Sequence, residues 1–403
     1  MSDVEAKNVR SRRVFYIPGY DPIHPRRYRE LYRKEGAEQA EVSGYELALK
    51  PKAVGGRYGW SVEGRMDGAT TRAEFEVLVW SDIVRDSMVL SIPATYVQLA
   101  KTAWTYIASG ALRRLMWLRK GPIIAALYPV GMLLLQLVLA VVLATLLGTA
   151  AGWLHPWARF AVAFPVFILV LRWFRAKDNK FYAYYLMHDY SYSAQSKGAN
   201  PPELEARMAE FGEVIAEALE SDVDEVMVVG HSSGAHLAIS ILSDLLRAGR
   251  VRTDGPTLSF LSLGQVVPMV SFLPEAHRLR ADLHYLSQSD ALTWVDVTAP
   301  GDGCAFALCD PVAVSGVSPD QQKWPLVLSA AFTHTLSPER WQSLRWRFFR
   351  LHFQYLCAFD MPRDYDYFQI TAGPLTLGER YAGRSHSKSR IDRAASLYTS
   401  MAA

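Results

Sequence analysis

Residues 223–250 read VDEVMVVGHSSGAHLAISILSDLLRAGR. The run Val226-Met227-Val228-Val229 is short, apolar and mostly β-branched, which suits a strand buried on both faces. Beyond Gly230-His231-Ser232-Ser233-Gly234, apolar residues return at helical spacing as Leu237, Ala238, Ile241, Leu242 and Leu245. The pattern predicts a strand, a tight turn carrying G-x-S-x-G, and a helix. Both glycines let the backbone turn closely against its neighbours, and the turn lifts the Ser232 hydroxyl clear of the sheet edge. The five-residue motif is short enough to arise by chance, so its flanks carry the weight. Upstream, Pro201-Pro202-Glu203-Leu204 opens a helix with proline in its first turn. Leu204, Met208, Phe211, Val214, Ile215, Ala218 and Leu219 form one face of it. Helix, strand, turn and helix make a doubly wound α/β unit with the serine at the C-terminal end of its strand, where such sheets place their chemistry.

At these residues the chain resembles the α/β-hydrolase superfamily. The resemblance implies a doubly wound, mostly parallel sheet and a chain order of oxyanion loop, serine, acid and histidine. Residues 13–17, RVFYI, read as a strand running into Pro18-Gly19-Tyr20-Asp21-Pro22. A strand ending in Pro-Gly-aromatic is similar to the oxyanion loop of hydrolases and lipases. By that resemblance the oxyanion donors are the N–H groups of Tyr20 and Ser233. Gly44 to Trp80 reads as early strands, Thr257 to Gly264 as the strand after the serine helix, and Leu292 to Thr298 as a later one. Asp302, in the Gly-rich loop Ala299-Pro300-Gly301-Asp302-Gly303, stands where the family keeps its acid. Asp296 falls within a strand, and Asp310, before Pro311, reads as a turn residue. For the base, His352 in FFRLHFQYL has an H-x-x-Y ending similar to that of some lipases. His334, in AFTHTLSPE before a helix start, is the alternative base. His386 lies in a basic, serine-rich tail, and His231 and His236 flank the serine in sequence and point away from it, toward packing or substrate contact.

Composition bounds the rest. The 403 residues are half hydrophobic, enough for one large domain with an insertion, and the formal charge of +3 gives no reason to expect a nucleic-acid partner. The three cysteines, Cys304, Cys309 and Cys357, have no metal-type spacing and point to a reducing compartment. The opening MSDVEAKNVRSRR has no apolar core, so no secretory signal is expected. No P-loop, H-E-x-x-H or strand-linked G-x-G-x-x-G occurs, and neither a metal nor an organic cofactor is expected.

The insertion sets the location. From Gly121 to Trp157 no residue carries a formal charge, and Ile123 to Leu147 is long enough to cross a bilayer core. After a break holding Trp153, His155, Pro156, Trp157 and Arg159, Phe160 to Leu171 is apolar again. The strand before the insertion and the serine strand after it belong to one sheet, so the chain must return to the side it left, which calls for a two-helix transmembrane hairpin or for no crossing at all; the hairpin is the expectation. Arg113, Arg114, Arg119 and Lys120 precede it and Arg172, Arg175, Lys177 and Lys180 follow it, whereas the connecting loop holds only Arg159. By the positive-inside rule both flanks are cytoplasmic, on an inner or plasma membrane. Trp104, Ile107, Ala111, Leu115 and Leu118 predict an amphipathic helix at the interface. The expected organisation is a flexible N-terminus (1–12), a first hydrolase part (13–93), an amphipathic connector (94–120), the hairpin (121–174), a second hydrolase part (175–378) and a polar tail (379–403). The expected function is a membrane-anchored serine hydrolase acting on a small-molecule or lipid ester, with the bilayer as partner. The alternative is a catalytically inactive, membrane-tethered binding or scaffold protein on the same fold.

Overall fold

The computed structural model describes residues 9–52 and 56–402. Eight strands, β1 (Ser11–Ile17), β2 (Glu46–Pro51), β3 (Gly59–Met66), β4 (Ala69–Val77), β5 (Glu225–His231), β6 (Thr257–Leu263), β7 (Thr293–Thr298) and β8 (Leu326–Ser329), form one sheet. Their order is β2-β3-β4-β1-β5-β6-β7-β8. From β4 through β8 neighbours run parallel, while β2–β3 and β3–β4 are antiparallel. The β3–β4 hairpin turns at Asp67-Gly68, both at positive φ, as the two-residue turns that match strand twist require. The chain is therefore a mixed α/β protein with a mostly parallel sheet.

The unbroken apolar character of β5 follows from coverage on both sides. Val226 and Val228 pack with helices Pro202–Leu219 and Gly234–Arg247, while Met227 and Val229 face Tyr28 and Tyr32 of helix Arg26–Ser43 and Phe368 near the C-terminus. The N-terminal ends of β1 and β5 are joined by a fully buried ion pair, Arg12 with Glu225. Arg12 also donates to the carbonyls of Gly373 and Leu375, and Glu225 accepts from Ser259 Oγ and the Leu377 N–H. Charges taken out of water at this cost persist only when their remaining hydrogen bonds are filled.

Two expectations are corrected. The N-terminal segment 1–12 is not flexible throughout. Residues 1–8 lie outside the described residues, but Val9 is buried, its carbonyl accepts from Thr71 Oγ1, and β1 begins at Ser11 rather than Arg13. The connector is not one amphipathic helix, because Gly110, at φ 73°, separates helix Ile92–Ala108 from helix Ala111–Leu115. Its supposed stripe divides there: Ala111, Leu115 and Leu118 are core residues, while Trp104 and Ile107 are exposed. The polar tail, described from 379 to 402, docks through its backbone. Ser387 N–H donates to the Val327 carbonyl, Val327 N–H donates to His386 Nδ1, Ile391 bridges Cys309, and the Ser400 carbonyl accepts from Arg280. The tail thereby covers the β8 edge, which would otherwise leave main-chain groups open to pairing.

The insertion folds as helix Lys120–Gly152, about 50 Å long at 1.5 Å per residue, followed by helix Ala158–Ala176. They pack closely where Gly148 meets the second helix, a Cβ there coming within 2.9 Å of Ala163 Cβ. Among the described residues only Lys120–Gly152 is long and apolar enough to cross a membrane. Arg159, Arg172 and Arg175 keep the second helix below that standard, so the expected second span is not matched in kind.

Arg12→Ala would leave Glu225 charged and buried without its counterion. A loss of about 3–5 kcal/mol in denaturant unfolding is expected. A loss under about 1 kcal/mol, the scale of a surface pair, would contradict this.

Candidate active site

The turn after β5 is strained at one residue. Ser232 has φ 57°, in the left-handed region that costs a non-glycine residue about 1–2 kcal/mol. The strain holds because the surroundings leave the turn no other path. A Cβ on Gly230 would stand 2.7 Å from Ala235 Cα, one on Gly234 2.1 Å from the Ile17 carbonyl oxygen, and one on Gly19 2.9 Å from Ser232 Cβ. The end of β1 thus presses backbone against the serine turn, and glycine alone fits at all three contacts. Ser232 N–H donates to the Leu263 carbonyl of β6, which completes the anchoring.

Asp302 and His352 are brought together from different elements. His352, at the end of helix Phe348–His352, has Nδ1 2.7 Å from Asp302 Oδ2 in the loop after β7. Asp302 also accepts from Tyr355 Oη at 3.0 Å and the Cys304 N–H at 2.9 Å. Burial pushes the Asp302 pKa up, but His352, its hydrogen bond and these two donors together hold it below the ordinary carboxylate value. Tyr355 in turn accepts the Ala299 N–H. The H-x-x-Y spacing therefore has a physical meaning, since the tyrosine grips the acid that grips the histidine. With Nδ1 engaged, Nε2 is the histidine nitrogen left for proton transfer.

His231 supports the histidine from below. Its Nε2 lies 3.0 Å from the His352 carbonyl oxygen and its Nδ1 3.3 Å from Tyr16 Oη. Burial, reinforced by His352, pushes its pKa down to about 3, so it stays neutral. Its one ring proton then sits on Nε2, facing the carbonyl.

Ser232, Ser233, His352, Gly19 and Tyr20 line one cavity of about 90 Å³. Among the described residues neither the Tyr20 nor the Ser233 backbone N–H donates to any acceptor. The Tyr185 hydroxyl holds the Tyr20 carbonyl at 2.5 Å and fixes the loop. Ser232 Oγ and His352 make no direct hydrogen bond; such contacts are often long in a substrate-free site and tighten on binding. His334 is exposed and lies away from this cavity, so the structure does not bring the alternative base to the serine. Asp296 is buried within β7, accepts from Ser262 Oγ and is pushed up to about 8 by burial. Asp310 caps helix Pro311–Val314 by accepting from the Val312 and Ala313 N–H groups.

Asp302, Cys304 and His352 offer three ligand-type atoms within 4.8 Å of one another. Burial, with Asp302 and Asp189 nearby, pushes the Cys304 thiol well up and keeps it protonated, and both Asp302 oxygens already accept hydrogen bonds. Asp302 and His352 in this group already satisfy one another, and the Cys304 N–H and Tyr355 hydroxyl fill the rest of the carboxylate.

Sequence reasoning missed one polar residue of the cavity wall, Asp189, and named a second, His236, only for packing or substrate contact. Asp189, on helix Ala183–Gln195, lines it and is pushed up to about 7, burial outweighing the nearby His352. His236 lines it with a buried Nδ1 that has no partner. The Asp189 segment, HDYSYSAQ, reads only as a helix following the insertion, and no local pattern marks it. No family model matches the chain, and neither a curated protein nor a solved structure matches it.

Gly234→Ala would drive a Cβ into the Ile17 carbonyl and is expected to cost about 1–3 kcal/mol or more in thermal unfolding. Gly212→Ala, mid-helix with its nearest neighbours 4.0 Å away, is expected to be neutral or to gain up to about 1 kcal/mol. Equal effects of the two substitutions would contradict the packing argument.

Proposed function

We propose that this chain is a membrane-anchored serine hydrolase of the α/β-hydrolase superfamily that cleaves an ester. The observation that carries the reading is a strained serine at the end of a central parallel strand. It shares a cavity with a histidine whose Nδ1 is held by a buried carboxylate. In the reaction Ser232 Oγ attacks the ester carbonyl while His352 Nε2 takes its proton. Asp302 keeps the imidazole in the required tautomer and stabilises the imidazolium. The N–H groups of Tyr20 and Ser233 donate to the developing oxyanion, His352 gives its proton to the leaving alcohol, and water activated by His352 resolves the acyl-enzyme.

The membrane part rests on exposed surface. Leu134, Leu135, Val138, Val142, Leu146 and Leu147 are half exposed along the long helix, and Trp153 and Leu154 at its far end are 92% and 89% exposed. An apolar surface of this extent is not left to water. Basic residues cluster where the two helices join the body, which orients the catalytic part to the cytoplasm. The insertion also roofs the cavity. Pro122, in the first turn of the long helix, and Tyr185 and Asp189, on the helix after the hairpin, all line it. Substrate arriving along a membrane surface meets the site at that roof.

The cavity is small against the roughly 300–1,000 Å³ of ordinary ligand sites. A neighbouring hollow of about 750 Å³ shares Asp21, Tyr185, Phe349 and Phe353 with it and gives room for the rest of a larger ester. The second reading, a binding or scaffold protein on this fold, has in its favour the missing direct Ser232–His352 hydrogen bond.

A fluorophosphonate probe is expected to label the native protein, with labelling lost in Ser232→Ala. Absence of labelling from the folded native chain favours the scaffold. On any ester that is turned over, Asp302→Asn is expected to lower kcat by about 10³–10⁴-fold through the wrong tautomer. The chain is expected to stay with membranes through an alkaline wash and leave only with detergent; release by the wash alone would contradict the anchor.

A further inference from the structure

The cavity beside Ser232 has an unbalanced charge. Two carboxylates line it, Asp21 and Asp189, and no lysine or arginine does. Asp21 is occupied, accepting from Arg27, the Tyr28 hydroxyl and the Ile23 N–H. Asp189 makes no side-chain hydrogen bond or ion pair among the described residues, and it is partly exposed, facing this cavity and a smaller one beside it.

The groups around Asp189 come from every element packed there. Tyr190 and Tyr185 lie on its own helix, Tyr106 comes from helix Ile92–Ala108, Tyr20 from the loop after β1, and Cys304 from the loop after β7. All five stay protonated and neutral near pH 7, because burial pushes each of them up. Of the three cavity histidines, burial holds His231 near 3 and His236 near 4, and His352 is matched to Asp302. Among the described residues no cation pairs with Asp189, so a ligand cation that reaches it meets an uncompensated carboxylate whenever that group is ionised.

We infer that Asp189 is the substrate-recognition group of this cavity and that it takes a small ammonium group carried by the ester. The inference rests on the hydrolase reading for the word substrate, but the binding it describes does not. The tyrosine-rich walls favour a cation further, since ring quadrupoles attract positive charge in desolvated sites. An anionic group placed against Asp189 would meet a carboxylate with no cation of its own, whereas the neighbouring hollow offers Arg27, Lys34 and Arg350. The acid product of hydrolysis would be repelled as it forms.

The test is calorimetric titration of the full-length, detergent-solubilised protein with n-propylammonium and with 1-propanol, which match in size and differ in charge. At about pH 8, where Asp189 is ionised, the ammonium ion is expected to bind at least about tenfold more tightly. Below about pH 6, where a carboxyl with its midpoint near 7 is mostly protonated, the preference is expected to shrink. Asp189→Asn, near-isosteric, is expected to erase it while fluorophosphonate labelling of Ser232 persists. Equal binding of the two ligands by the native chain, a preference for the alcohol, or a preference that survives in Asp189→Asn overturns the inference. The native-protein comparison decides even if the variant fails to fold. Ammonium preference without Ser232 labelling would keep the site and sink the hydrolase. Labelling without the preference would do the reverse.

Discussion

The contact on which the rest of the structure depends is backbone against backbone. The end of β1 lies so close to the turn after β5 that no Cβ fits at Gly234 or Gly19. That approach does three things together. It holds Ser232 in a left-handed conformation it would not keep alone, it brings the Tyr20 N–H to the serine's side, and it requires β1 to sit beside β5 in the sheet. The Arg12–Glu225 pair locks the same two strands at their other ends. Strain at the chemical end and a satisfied charge at the far end are consequences of one strand pairing.

Around that pairing the proposed chemistry is layered. The acid and the histidine come from late elements, and each is held by a residue with no part in bond making. Tyr355 holds Asp302, and His231, kept neutral by burial, holds the His352 carbonyl. The insertion supplies what these do not, a roof. Its first turn contributes Pro122, and the helix that follows it contributes Tyr185 and Asp189. The insertion and the cavity wall are thus continuous in the chain, and in the proposed membrane-anchored enzyme a change in how the insertion sits in a bilayer would be felt at the site.

The sheet's centre and the serine turn were legible because their physics is local. A strand buried on both faces leaves an apolar run, and a turn with no room for side chains leaves glycines. Asp302 and His352 could be named only through a resemblance, and the choice between His352 and His334 depended on contacts that a linear pattern does not carry. His334 ended exposed on the short helix Phe332–Thr335, while His352 met Asp302, whose carboxylate Tyr355, three residues on, also grips. The four-residue β8 was too short to leave a period, and the tail docks through main-chain hydrogen bonds that any side chain tolerates. The connector misled for a different reason. A glycine at positive φ split one apparent stripe into an exposed part and a core part. Asp189 left no trace at all, since a lone carboxylate in a polar helix looks the same whether it faces water or a cavity.

The most direct measurement is an experimental structure of the protein after reaction with a fluorophosphonate. Phosphorus is expected on Ser232 Oγ, with the phosphoryl oxygen about 2.7–3.1 Å from the backbone nitrogens of both Tyr20 and Ser233. An adduct on another residue, or a phosphoryl oxygen turned away from those two nitrogens, would contradict the claim that the β1–β5 contact builds a catalytic serine.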